Sequence, residues 1–252
     1  QFYGYITEGL YQVDDFNYDA STQTYTLKDG IPYHGDKSRI RPGMWKFKNL
    51  TGDDNVIDEN DKTVIGNAQP KFYGGLNNSF TYKGFDLSIF LTFSYGNEVL
   101  NATKLVTSKV GSLNYNALDV MNSSNRWMTI NSDGQKVTDP GELAALNAGK
   151  TVAAYHDAQQ GDNYIHSWAV EDASYLKLSN VTLGYTFPKN LIARVGLKNL
   201  RLYATGNNLL TWTKYSGFDP EVSTMKSGLT PGVDFGAYPL SRSFIFGLNV
   251  AF

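Results

Sequence analysis

KFYGGLNNSFTYKGFDLSIFLTFSYG, residues 71–96, is two alternating runs placed back to back. In the first, Phe72, Leu76, Phe80 and Tyr82 share one parity, and Tyr73, Asn77, Ser79 and Thr81 share the other. In the second, Phe85, Leu87, Ile89, Leu91, Phe93 and Tyr95 fall together, opposite Asp86, Ser88 and Thr92, with Phe90 the exception. A period of two describes a strand with two unlike faces. The runs meet at Lys83-Gly84, and two residues including Gly between alternating runs predict a tight hairpin.

The same texture continues outward. YLKLSNVTLGYTF (175–187) sets Val181, Leu183, Tyr185 and Phe187 on one parity but Leu176 and Leu178 on the other, which predicts a bulge near Ser179-Asn180, and Pro188 stops the strand. LRLYATGNNLLTW (200–212) groups Leu200, Leu202, Ala204, Leu210 and Trp212 opposite Arg201, Tyr203, Thr205 and Asn207. RSFIFGLNVAF (242–252) does the same with Phe244, Phe246, Leu248, Val250 and Phe252. Residues 1–66 read as mostly loop, with a sixth strand near 2–7, and GELAALNAGK reads as a short helix in the long stretch 97–170. The connections alternate short and long: Lys83-Gly84, 97–170, 188–199, 213–240. In an antiparallel up-and-down sheet, short turns then gather at one end and long loops at the other. Outer-membrane barrels have this asymmetry, which would put Lys83-Gly84 in the periplasm and 97–170 and 213–240 outside. Tyr82, Phe85, Phe187 and Phe252 would ring one rim, and Phe93, Tyr95 and Trp212 the other, as interfacial aromatic girdles do.

Composition narrows the alternatives. A net charge of −2 with 18% charged residues lacks the basic excess that nucleic acid demands. The 17 Tyr, 14 Phe and 24 Gly favour an all-β chain with many turns. Mean hydropathy of −0.34 does not argue against a barrel, whose alternating faces average to an ordinary value. Without cysteine there is no disulfide or thiolate site. No run is long and apolar enough for a transmembrane helix, and QFYGYITEGLYQ has no basic n-region, so no leader is expected in these residues. Alternation alone also fits a soluble, secreted carbohydrate-binding β-sandwich with one parity facing a core; loop asymmetry and rim aromatics favour the barrel.

VIGNAQPKFYGGLNNSFTYKGFDLSIFLTFSYGNEVLN, NRWM, VEDASYLKLSNVTLGYTFPKNL, LRLYATGNNLLTWTKYSGFDPEVS and GVDFGAYPLSRSFIFGLNVAF resemble, in this order, the C-terminal end of the SusC/RagA family of TonB-dependent outer-membrane transporters of Bacteroidetes. The resemblance covers nearly the whole chain. It implies an all-β C-terminal segment (1–252) of about five or six antiparallel strands from a large transmembrane barrel with long extracellular loops. Residues 1–69 would be mostly extracellular loop, 70–252 strands and loops, and the plug and N-terminal strands would lie outside this stretch. Five or six strands do not close around a lumen by themselves. The resemblance also implies import of oligosaccharides or peptides without enzymatic activity. The implied partners are a SusD-like surface lipoprotein, a TonB–ExbB–ExbD complex reached through the N-terminal part, the remaining barrel and plug, and outer-membrane lipid. Phe244, Phe246, Leu248, Val250 and Phe252 resemble a barrel-assembly signal. Asp86, Ser88, Thr92, Arg201, Thr205 and Asn207 would line the lumen or touch the plug.

NLTGDDNVIDENDKT (49–63) resembles the family's aspartate-rich loop and one calcium loop of an EF-hand or dockerin. Such loops place oxygens at alternate positions and a carboxylate at the twelfth. Asn49, Thr51, Asp53, Asp54, Asp58 and Asp61 are the candidate Ca²⁺ ligands, although the loop is one residue too long around Asp54-Asn55, and the alternative is a solvated acidic turn. His34, His156 and His166 have no metal-ligand spacing and are expected at the surface. No nucleophile elbow, zinc-protease motif or P-loop occurs. Asp172, Asp219 and Glu221 are carboxylates whose separation nothing in the sequence fixes. Trp45, Trp127, Trp168, Tyr215 and Tyr238 could stack on sugars or simply pack loops.

Overall fold

The computed structural model describes residues 1–52, 54–108, 116–154, 164–224 and 230–252. The chain forms two compact units, residues 67–99 with 171–252, and residues 1–66 with 100–170.

The first unit is built on a five-stranded antiparallel sheet: β1 (Phe72–Tyr82), β2 (Phe85–Tyr95), β3 (Tyr175–Thr186), β4 (Asn199–Thr213) and β5 (Ser243–Ala251). Spatial order follows chain order, so the sheet is an up-and-down meander. Strands of 11, 11, 12, 15 and 9 residues match the length a tilted strand needs to cross a bilayer. The turn between β1 and β2 holds Lys83 and Gly84 at φ of 46° and 88°, the left-handed pair that suits the twist of a two-residue hairpin. A Cβ on Gly84 would run into the Thr186 carbonyl, so glycine is required there.

The expected bulge is present. β2 pairs Phe90 with Asn180 and Leu91 with Leu178, leaving Ser179 as the extra residue. Its effect is to return Leu176 and Leu178 to the face shared by Val181 and Leu183. β4 compensates with Asn208 at φ 52°, so that Asn180 meets Asn207 and Leu178 meets Leu210. Asn is among the few residues that tolerate this conformation. β3 ends at Thr186, and after Pro188 a short helix, Lys189–Ile192, begins the return to β4.

The second unit corrects the reading of its segments as loop. Residues 2–7 supply no sixth strand to the sheet; Phe2–Gly4 pairs instead with Thr63–Gly66. Other ladders join Thr7–Leu10 to Trp45–Phe47, Phe16–Asp19 to Thr24–Leu27, and Tyr33–His34 to Val56–Ile57. The helix expected at GELAALNAGK is Pro140–Leu146, capped by the Asp139 side chain on the Glu142 N–H. Among the described residues, apolar clusters in this unit are Leu10, Val13, Trp127, Val137, Leu143, Ala153 and Ala154; Tyr11, Phe16, Leu27, Ile40 and Met44; and Tyr5, Phe47 and Ile57. Trp127 is 1% exposed and lies against Gly43, so it packs the core and cannot stack on a ligand.

Candidate functional site

The two faces of the sheet differ in chemistry. On one, Tyr82, Phe85, Tyr185 and Leu202 form a cross-strand row, followed by Phe80, Leu87, Leu183, Ala204 and Phe246. This apolar face is exposed, reaching 81% at Phe246. A sandwich would cover such a face with a second sheet. At the hairpin end, Phe85 and Tyr185 lie 4.5 Å apart and Tyr185 and Phe187 5.0 Å apart, ring to ring. At the opposite end, Phe72 stacks on Tyr95 at 5.0 Å. Phe244, Phe246, Leu248 and Val250 all stand on the apolar face, opposite Gly206, Ala204, Leu202 and Leu200, and Phe252 follows the last strand residue.

The other face carries all six expected polar residues, and they bond across strands. Arg201 grips Asp86 through Nε and Nη2, at 3.1 and 2.5 Å. Ser88 donates to Asn77 (3.3 Å), and the hydroxyls of Thr92 and Ser179 lie 2.7 Å apart. Thr182 and Thr205 meet at 2.8 Å, Asn180 donates to Asn207 (2.7 Å), and Asn207 donates to Ser243 (3.0 Å). Cross-strand hydrogen bonds of this sort stabilise the pairing while leaving the surface polar.

One element of this face is not apparent in the sequence reading. Lys177 is only 5% exposed, and its ammonium meets Glu221 at 2.5 Å. The Tyr175 hydroxyl donates to the other Glu221 oxygen at 2.7 Å. A glutamate read as one of several loop carboxylates therefore fastens the β4–β5 loop to β3. The available signal was Lys177 itself, a lone cation between Leu176 and Leu178 on the opposite parity. The same loop is held by Tyr215, which donates to Asp234 at 2.6 Å, and by Ser216, whose N–H and hydroxyl both reach Glu171 at 2.9 Å. Burial first, then the Asp234 carboxylate, push the Tyr215 phenol upward. Tyr215 is therefore a packing residue, whereas Tyr238 stands open to solvent.

The aspartate-rich loop is organised around an anion. Asp61 is fully buried; its Oδ1 accepts from the Leu50 and Thr51 N–H groups and the Thr51 hydroxyl, and its Oδ2 from the Asp58 N–H. Asp58 caps Glu59–Asp61 through the Asn60 N–H, Asn49 accepts from Gly52 and donates to the Asp54 carbonyl, and Asp54 accepts from Val56. Asp53 lies outside the described residues. Among the described residues no three acidic or histidine side chains converge, and donors rather than lone pairs face Asp61. Burial opposes the charge on Asp61, but the N–H groups of Asp58, Thr51 and Leu50 and the Thr51 hydroxyl outweigh it and hold the carboxyl below its ordinary range. Its contribution to stability is complete above the unfolded carboxyl's pKa and is lost as pH falls through the depressed folded value. Asp61→Asn should cost about 1–3 kcal/mol, read by thermal unfolding at neutral pH.

The histidine expectation also needs correction. His166 is buried beside Trp45, Phe47 and Trp168, and burial, then the Lys104 charge, lower its pKa to about 3. His34 is half-buried against Tyr164, with ring centroids 4.3 Å apart, and His156 lies outside the described residues.

No family model matches the chain. It is 34% identical over 256 residues to TonB-dependent receptor P3 of Formosa agariphila, an alignment spanning 100% of this chain and 22% of that protein. It is 29% identical over 204 residues to TonB-dependent receptor SusC of Bacteroides thetaiotaomicron, covering 78% of this chain and 17% of SusC. Among solved structures, the RagAB peptide importer in its closed-closed state superposes with a TM-score of 0.65 at 20% identity, over 100% of this chain and 23% of the importer chain. The chain thus spans about a quarter or less of the length of the curated relatives it matches. In class, the molecule is a segment of an outer-membrane β-barrel with a lipid-compatible face and a polar face. Matched along its own length to about a fifth of theirs, it is a SusC/RagA-like segment of the TonB-dependent receptors of the outer membrane.

Proposed function

We propose that this segment forms part of the wall of a barrel that imports an oligosaccharide or a short peptide across the outer membrane. The two-faced sheet carries this reading: the apolar face meets lipid, and the face bearing Asp86, Ser88, Thr92, Arg201, Thr205 and Asn207 lines the lumen. The long loops of the sheet unit open outside, where a SusD-like lipoprotein covers the mouth. Energy reaches the barrel from TonB, ExbB and ExbD through parts of the receptor beyond this stretch. The relatives' designation as TonB-dependent receptors supports the energy source, and the likeness to SusC and to RagAB supports the lipoprotein lid. No catalytic role is proposed.

The test is uptake by cells carrying the full-length receptor and its neighbouring lipoprotein. Labelled oligosaccharide and oligopeptide libraries should be depleted in only one class, and depletion should stop when TonB is removed. Uptake that survives loss of TonB would overturn the energised-import reading.

A further inference from the structure

Glycines in the two outermost strands of the sheet sit beneath side chains of the strand next to them. On β5, a Cβ at Gly247 would fall on the Tyr203 ring. On β1, a Cβ at Gly75 would press on the Phe90 ring at 3.0 Å, and one at Gly74 on Phe93 at 2.9 Å. Phe90, the single ring that breaks the parity of β2, therefore has a physical reason to be there: it covers a neighbour that has no side chain. Between them, Gly184 on β3 lies under the Asp86–Arg201 pair, whose three nearest atoms would meet its Cβ at 2.5–2.6 Å.

The register makes these contacts one device. Asp86 faces Gly184, Gly184 faces Tyr203, and Tyr203 faces Gly247 in a single row across four strands. Large and absent side chains alternate along it. Arg201 reaches over Gly184 to Asp86 and sits 5.1 Å from the Tyr203 ring. A slip of β5 by two residues would set Tyr203 on Ile245 or Asn249, and a slip by one would turn the apolar face inward.

We infer that these glycine–aromatic joints key β1 and β5 into register, and that the Tyr203–Gly247 joint is a determinant of barrel assembly separate from the apolar parity of β5. Aromatic cover of strand glycines restores the packing they forfeit and makes one pairing unique. The inference rests on the barrel reading of the sheet.

The experiment is a double-mutant cycle in the full-length receptor, scoring the folded fraction in outer membranes by the gel shift between unheated and heated samples. Gly247→Ala should reduce the folded fraction roughly tenfold in the wild-type background, as overpacking does. In a Tyr203→Ala background the same substitution should be neutral or beneficial. Equal loss in both backgrounds would overturn the joint. Should Tyr203→Ala by itself abolish assembly, Tyr203→Phe, which keeps the ring over Gly247, should restore it; failure of Tyr203→Phe would also overturn the joint. Ile89→Arg separates the two readings. If it assembles as well as Ser88→Arg, the barrel reading fails, whatever the cycle shows.

Discussion

Glu221→Ala is expected to cost about 3 kcal/mol of stability, because it strands the Lys177 ammonium in a site that is 5% exposed. Breaking a buried pair costs more than the pair is worth, since the remaining charge keeps its desolvation penalty and loses its compensation. The figure is set at the lower end for such pairs because the Glu221 side chain still sees solvent, at 35% exposure. Tyr175 loses its acceptor in the same step. The measurement is denaturant unfolding of the refolded receptor in detergent, comparing Glu221→Ala with the double substitution Lys177→Leu, Glu221→Leu. The double variant should recover most of the loss, because replacing both ions by apolar groups of similar size is often neutral. A double variant as unstable as the single one would show that the β4–β5 loop depends on the charges for something other than mutual compensation.

Ile89→Arg should cost about 2–4 kcal/mol, while Ser88→Arg, one residue away, should be tolerated. Ile89 pairs with Asn78 and Val181 and shares the face of Leu87 and Leu91; Ser88 points to the opposite face, toward Asn77. Ile89 lies midway along β2, where a guanidinium on the lipid side is farthest from either interface. The readout is folding free energy into vesicles, with the folded band on unheated gels as a check. Equal behaviour of the two variants would abolish the face assignment, and the reverse order would exchange the faces.

The strands were legible because a period of two survives in a single sequence whatever the partners are. The bulge at Ser179 was legible for the same reason, as a parity change between Leu178 and Val181. Lys177–Glu221 was not, because the partners are 44 residues apart and nothing local in either segment names the other. The clusters of the second unit were hidden for a related reason. Their ladders run two to four residues, too short for periodicity to emerge, and one cluster joins Leu10 and Val13 to apolar residues more than 100 positions away. The aspartate-rich loop shows a third kind of gap. Residue types and spacing left a cation site and an acidic turn side by side, and the N–H groups gathered around Asp61 are a property of backbone conformation that spacing does not encode.

The mixed origin of the Leu10–Trp127 cluster has a kinetic consequence. Leu10 and Val13 complete their cluster only with Trp127, Val137, Leu143, Ala153 and Ala154, so the contact closes a loop that contains the whole β1–β2 hairpin. Contacts at such separation form late, because the chain entropy is lost before the burial is gained. During synthesis and export, Leu10 and Val13 must therefore wait, uncovered, until residues 127–154 have emerged. Over that interval the chain is a natural client for a holding chaperone, and its yield should depend on the supply of one more steeply than its final stability would suggest.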